Sequence, residues 1–143
     1  MKIALITNYN ISEKAAAAMT VAERLVKHGA KLLIPSNYRD RIERMHKQRA
    51  YMNFESLQTV YNNADMIIVL GGDGTIMESA RKAALRGTPV LGINLGRVGY
   101  LAELEMNELH LLDAVMEGKY RLDERAMLNA EIVSGGGQKV KQV

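Results

Sequence analysis

Gly71-Gly72-Asp73-Gly74-Thr75 constrains this chain more than any other stretch. The most apolar run in the sequence, Met66-Ile67-Ile68-Val69-Leu70, leads into it, and a helix-like pattern from Ile76 to about Arg86 leaves it. A buried strand that passes through a glycine turn into a helix presents backbone N–H groups to a phosphate. The turn carries one carboxylate, Asp73, and the three glycines around it let a ligand come close to the backbone. A carboxylate placed there can accept a proton from a sugar hydroxyl, hold Mg2+, or bond a ribose hydroxyl. Phosphoryl transfer asks mainly for positioning and charge neutralisation, which a glycine cradle with one aspartate can supply. Gly-Gly-Asp-Gly is also a good tight turn, so the stretch by itself leaves a purely architectural role open.

Several chemistries are excluded. There is no Gly-x-x-x-x-Gly-Lys-Ser/Thr loop, and the first turn, Asn8-Tyr9-Asn10-Ile11, lacks the dinucleotide-binding glycine fingerprint. With no cysteine in the chain, disulfides and thiolate metal sites do not arise. No apolar run approaches the roughly 20 residues needed to span a bilayer, and no cleavable leader pattern is visible. The expectation is a cytoplasmic protein without a membrane partner. A net charge of +3 suits an anionic small ligand. Without Trp and with one Phe, the chain offers few stacking platforms, and nucleic acid is not expected as a partner.

The rest of the chain supplies a frame for the turn. Lys2 to Thr7 reads as a short buried strand, and Asn8-Tyr9-Asn10 as turn chemistry. Ser12 is a candidate N-cap for a helix running to about His28, with Gly29 at its end. Lys31-Leu32-Leu33-Ile34 follows as a strand stopped by Pro35. Tyr38 to Arg49 is charged and reads as a solvated helix face or loop, or else as a basic lip over a phosphate site; His46 within it reads as surface. Ser56 to Asn62 is a short helix, Thr75 to Arg86 the next, and Val90 to Ile93 another buried strand. Strands and helices alternate, which predicts an α/β fold, a doubly wound parallel sheet. Ligands in such sheets bind beyond the carboxyl ends of strands, where the Gly71 turn and the turn from Asn94 to Leu101 both fall.

In that second turn Gly96 and Gly99 keep the backbone accessible, and Asn94 offers a donor and an acceptor. Arg97 can meet a phosphate or simply face solvent, and Tyr100 reads first as a core or hinge residue. Asn107 to Glu117 is an amphipathic helix with Leu109, Leu112, Val115 and Met116 inward. Met127 to Val133 reads as a strand, Ser134-Gly135-Gly136-Gly137 as a hairpin turn, and Lys139 to Val143 as a returning strand. The last sixteen or so residues read as the first hairpin of a second, β-rich unit, and either the chain is a fragment or the hairpin packs on the main domain or on another copy.

Gly71-Gly72-Asp73-Gly74-Thr75 resembles the motif of a kinase superfamily that includes NAD kinases, diacylglycerol and sphingosine kinases and, more distantly, 6-phosphofructokinases. The segment from Pro89 to Leu101, which contains Gly92-Ile93-Asn94-Leu95-Gly96 and Gly99-Tyr100, selects among them, because it closely resembles the NAD kinase segment after the glycine turn. Glu124-Arg125-Ala126-Met127-Leu128 resembles that family's crossing into its second domain, which implies an α/β nucleotide-binding domain over 1–123 and the incomplete start of a β-rich domain over 124–143.

The resemblance implies transfer of a phosphoryl group from ATP or polyphosphate to the 2′-hydroxyl of the adenosine ribose of NAD, giving NADP. Asp73 would accept the proton and lie near the nucleotide phosphates and Mg2+, and Gly74 would contact NAD through its backbone. Gly71, Gly72 and Thr75 would shape the phosphate side, with Asn94 and Gly96 lining the same cleft. A homo-oligomer is implied as well, because the family's NAD site forms between two domains and across subunits. Two departures stand out. Glu78 occupies a position where some members carry a basic residue, and the family's Asn-Asp or Asn-Glu pair of the second domain has no counterpart. The resemblance therefore predicts poor turnover by this length of chain. The alternatives are a lipid kinase and a nucleotide-binding module without turnover.

Overall fold

The computed structural model describes residues 1–45, 50–97, 99–133, 135–136 and 139–142. Strands β1 (Lys2–Ile6), β2 (Lys31–Pro35), β3 (Met52–Glu55), β4 (Met66–Gly71), β5 (Val90–Asn94) and β6 (Leu104–Glu105) form one sheet in the order β3-β2-β1-β4-β5-β6. Every pairing in it is parallel. The helices are α1 (Ser12–Lys27), α2 (Arg39–Met45), α3 (Leu57–Asn63), α4 (Asp73–Ala83) and α5 (Leu111–Met116). This is the doubly wound parallel α/β architecture that the alternation predicts.

Burial follows the two-residue period of a strand. Ile3 and Leu5 of β1 and Met66, Ile68 and Leu70 of β4 pack in one core with Ala18, Ala22 and Leu25 of α1 and Leu112 of α5. The intervening Ala4, Ile67 and Val69 pack on the opposite face with Val60 and Tyr61 of α3 and Ile76 and Ala83 of α4. Because both faces are covered, β4 is buried along its whole length and must be apolar throughout. That requirement is why Met66 to Leu70 is the most apolar run in the chain.

The strand order reverses between β1 and β4, and the crevice beyond the carboxyl ends of strands at such a reversal is where open α/β sheets bind ligands. The Thr7 hydroxyl, just past β1, donates to the carbonyl of Leu70 at 2.8 Å and fixes the two strand ends to each other. Gly71 is in register with Asn94, and the Leu95 amide donates to the Gly71 carbonyl at 3.1 Å. Both glycine-rich turns therefore leave neighbouring strands at one edge of the sheet.

Local differences from the sequence reading have physical causes. Ile11, not Ser12, caps α1, and the Ser12 hydroxyl accepts a hydrogen bond from Arg41 Nη2 at 3.0 Å instead. Tyr9 lies in the expected turn, but its side chain is fully buried, its hydroxyl donates to the Leu5 carbonyl at 2.8 Å, and its ring lies 5.0 Å from that of Tyr38. Burial raises the Tyr9 phenol well above its ordinary value. The unexpected β3 forms one edge of the sheet, and α2 occupies the first part of the charged segment. His46, Lys47 and Arg49 lie outside the described residues.

Ser56 caps α3 by accepting from the Thr59 amide at 3.2 Å. The helix expected over Asn107 to Glu117 is broken into a 3-10 turn over Met106–Glu108 and the shorter α5, with Leu109 and Leu112 buried. Val115 and Met116 pack partly against the same core, as expected.

Past α5 the chain is irregular until β7 (Glu131–Val133), which pairs antiparallel with β8 (Lys139–Gln142) in a separate two-stranded sheet. The expected strand start at Met127 is not observed. Met127 and Leu128 are exposed, and among the described residues their segment has no partner strand to satisfy its backbone.

An ion-paired cluster ties α5 to α1. Arg24 donates from Nε and Nη2 to the two carboxylate oxygens of Asp113, each at 3.1 Å, and His28 Nε2 lies 3.0 Å from Asp113 Oδ1. The hydrogen bonds from Arg24, and then from His28, hold the Asp113 carboxyl below its ordinary value. A depressed carboxyl pKa stabilises the folded state above the unfolded value of about 4, and that contribution is lost as the pH falls through the folded pKa. Asp113→Asn is thus expected to lower the thermal midpoint at pH 7 and to lower it progressively less below about pH 4. An equal deficit at pH 7 and pH 3 would contradict the assignment.

Candidate functional site

α4 begins two to three residues earlier than its apolar pattern suggests. Gly72 is the N-cap, and Asp73 is the first helical residue. This matters for the carboxylate, because the positive end of a helix stabilises a negative charge in its first turn. The first intrahelical bond runs from the Ile76 amide to the Gly72 carbonyl, so the amides of Asp73, Gly74 and Thr75 have no acceptor within the helix. No side chain among the described residues caps this end.

The glycines divide by what surrounds them. A Cβ on Gly71 would lie 3.0 Å from the Thr75 Cβ, so the bare strand end is filled by the Thr75 side chain. A Cβ on Gly72 or Gly74 would meet nothing within 4 Å, and the open side of the cradle is at those two residues.

The second turn reaches back to the first through Asp73. The Tyr100 amide donates to both carboxylate oxygens, at 3.2 and 3.1 Å, and the Leu101 amide donates to Oδ1 at 3.1 Å. Gly99 makes this approach possible, because a Cβ there would stand 2.6 Å from Asp73 Oδ1. Gly96 turns the chain with φ of 99°, a conformation suited to glycine.

The return path is fixed from below. The Gly92 amide donates to Glu103 Oε2 at 2.7 Å, and the Glu103 amide donates to the Gly92 carbonyl at 3.1 Å. Asn94 is buried, its Nδ2 donates to both oxygens of Glu105 at 3.2 Å, and its Oδ1 has no partner among the described residues. Tyr100, read first as a core or hinge residue, is 93% exposed, and its backbone amide makes the contact. Glu78 faces away into a local pair with Arg81 at 2.7 Å and Lys82 at 3.5 Å, and Arg81 chiefly holds its carboxyl below the ordinary value.

A cavity of about 370 Å3 opens at this edge, lined by Lys14, Gly72, Asp73, Leu95, Arg97 and Gly99. That volume falls within the roughly 300–1,000 Å3 of small-molecule sites. Lys14 is the lining residue that sequence reasoning missed. Its signal was present, since a lysine in the first turn of α1 is followed by four alanines and has no acidic residue three or four positions on.

Asp73 is the one carboxylate among the lining residues, and no group of three or more metal-ligating side chains occurs among the described residues. That donor set fits Mg2+ arriving with a phosphate-bearing ligand, since Mg2+ commonly uses one or two carboxylates together with substrate phosphates.

The family model described as ATP-NAD kinase N-terminal domain matches residues 3–120. The NAD kinase of Aromatoleum aromaticum is 37% identical over 135 residues, covering 94% of this chain and 44% of that protein. The NAD kinase of Heliobacterium modesticaldum is 49% identical over 73 residues, covering 50% of this chain and 26% of that protein. Among solved structures, yeast NADH kinase complexed with NADH superposes with a TM-score of 0.73 at 18% identity, over 83% of this chain and 38% of that one. At that identity the likeness concerns the fold. The chain spans less than half the length of these relatives. The match over residues 3–120 takes in β1 through α5, including the turn that carries Asp73 and the turn that binds it, and on that match the chain belongs to the NAD kinase family, as its N-terminal domain.

Proposed function

We propose that this domain serves an enzyme that phosphorylates the 2′-hydroxyl of the adenosine ribose of NAD, with ATP or polyphosphate as donor, to give NADP. The observation that carries the reading is the Asp73 carboxylate. It stands at the strand-order reversal, in the first turn of α4, oriented by the amides of Tyr100 and Leu101 and open to a cavity. Asp73 accepts the hydroxyl proton as the ribose oxygen bonds to the terminal phosphorus of the donor. The bond from that phosphorus to its bridging oxygen breaks, and the leaving phosphate departs with the electron pair.

Three of the roughly four acceptor directions of the carboxylate are used by the Tyr100 and Leu101 amides, which leaves one for the substrate. The free amides of Asp73, Gly74 and Thr75 face developing phosphate charge. Mg2+ bound with the donor would offset phosphate charge, with Asp73 as the protein group able to hold it.

Residues 124–143 are read as the start of the second, β-rich domain, with the remaining wall of the NAD site supplied by that domain and by another subunit. The same reading makes the assembled enzyme a cytoplasmic homo-oligomer.

Chain length tests it. The 143-residue chain and a chain extended to the length of its relatives are compared for NADP formed from NAD and ATP. The extended chain is expected to turn over, and the short one to be slower by on the order of 10²-fold or more, since an incomplete wall leaves the ribose unpositioned. Equal rates would contradict the need for a second domain. Turnover of diacylglycerol but not NAD by the extended chain would overturn the substrate assignment.

A further inference from the structure

We infer that Glu103 is a positioning residue for Asp73, the proton acceptor of the proposed NAD kinase. Its carboxylate stands in for a missing strand acceptor at Gly92, and so sets where the Tyr100 and Leu101 amides meet the Asp73 carboxylate.

The connection from β5 to β6 calls for such a device. The two strands are parallel neighbours, with Ile93 opposite Leu104 and Asn94 opposite Glu105. Parallel neighbours ordinarily need a crossover of about a dozen or more residues, commonly a helix. Here residues 95–103 alone make the return. Gly92, buried on β5, precedes this register and has no residue of β6 opposite it. A buried backbone amide without an acceptor is costly. Glu103 supplies the acceptor from its side chain: the Gly92 amide donates to Oε2 at 2.7 Å, while the Glu103 amide donates to the Gly92 carbonyl at 3.1 Å. One residue thus satisfies both backbone groups of Gly92 and is itself pinned at two points.

From that anchor to the carboxylate the path is short. Tyr100, Leu101 and Ala102 run directly into Glu103. A Cβ on Gly92 would stand 3.2 Å from the Ala102 Cα and 2.7 Å from Ile76 Cδ1. Gly92 therefore lacks the side chain that would hold the returning segment and α4 away from β5. Ile76 belongs to α4, whose first residue is Asp73. The donors and the carboxylate they orient are located against the same point of the sheet. Glu103 itself is exposed and is not among the residues lining the cavity beside Asp73. Its influence on the reaction passes through the backbone to the Tyr100 and Leu101 amides, and from them to Asp73.

The test begins with hydrogen exchange, followed by NMR, on the 143-residue chain. In Glu103→Ala the Tyr100 and Leu101 amides are expected to exchange about tenfold faster or more, with the amides of β1 unchanged, because the opening is local. Glu103→Gln keeps a side-chain oxygen that can accept from Gly92 and is expected to restore most of the protection. Glu103→Asp keeps the charge but shortens the reach, and is expected to behave like Glu103→Ala. It also serves as the second variant if the alanine chain does not fold.

In the enzyme extended to its family's length, Glu103→Ala and Glu103→Asp are each expected to lower kcat about tenfold or more, with the KM for NAD changed little and Glu103→Gln close to wild type. A residue that acts through Asp73 has little left to act on once Asp73 is replaced. In an Asp73→Asn background, Glu103→Ala is therefore expected to cost less than about twofold. A residue that merely supports the fold would cost the same in both backgrounds and would speed exchange throughout the sheet.

Unchanged exchange at Tyr100 and Leu101 in both Glu103→Ala and Glu103→Asp overturns the inference. So does an equal loss of kcat with and without Asp73. NADP formation by the extended wild type is scored separately. Local loss of protection in the 143-residue chain, with no NAD phosphorylation by the extended wild type, defeats the activity reading and leaves the anchoring of the Asp73 donors standing.

Discussion

Asp73→Asn in the enzyme extended to its family's length is expected to lower kcat for NADP formation by on the order of 10²-fold or more, with the KM for NAD changed little. The asparagine is nearly the same size, and its side-chain oxygen can still accept from the Tyr100 and Leu101 amides. The turn should therefore keep its shape. What the variant loses is a group able to take the ribose proton and a negative charge in the first turn of α4. Initial rates with a dehydrogenase that accepts only NADP measure the effect. Wild-type kcat in a folded Asp73→Asn enzyme would remove Asp73 from the proton-transfer step.

Gly99→Ala is expected to be nearly as damaging to kcat while sparing the fold. The added methyl would lie 2.6 Å from Asp73 Oδ1 and 3.2 Å from its Cγ, so something must move. The atoms it meets belong to the end of a side chain, which yields more easily than backbone. The cost falls on the position of the carboxylate. A displacement near 1 Å at a reacting group can cost about 10²-fold, and kcat is expected to fall on that scale. The thermal midpoint should stay close to that of wild type. A Gly99→Ala enzyme with kcat within twofold of wild type would mean that the 99–101 turn does not position Asp73.

The sheet was legible because β1, β2, β4 and β5 are short apolar runs, each bounded by turn residues, and because helical patterns separate them. The strands that escaped notice are the two edges. β3 reads Met-Asn-Phe-Glu and β6 is two residues long. An edge strand pairs on one side only and tolerates polar residues, so it lacks the continuous apolar signal of a central strand.

The burial of Tyr9 was not legible for a different reason. Asn8 and Asn10 do make turn chemistry, with the Asn10 amide donating to Asn8 Oδ1, but the residue between them is drawn into the core by contacts with Leu5 and Tyr38 that no local pattern reveals. The turn follows the local preference, and tertiary contacts decide where its central side chain goes.

The site divides in the same way. Gly71 to Thr75 announced itself by its spacing. The bond from the Tyr100 and Leu101 amides to Asp73 spans 27 and 28 residues, and the meeting of Lys14 with Asp73 in one cavity depends on the strand order β2-β1-β4. The chain encodes that order, but it is not readable from any one segment.

The most direct measurement of the central claim is to follow the terminal phosphate of ATP. With the extended enzyme, NAD and ATP labelled at the γ-phosphorus, the account predicts label in NADP, released by a phosphatase that leaves NAD, and transfer slowed by on the order of 10²-fold or more in Asp73→Asn. Label recovered as free phosphate without NADP, or in a lipid product, would contradict it.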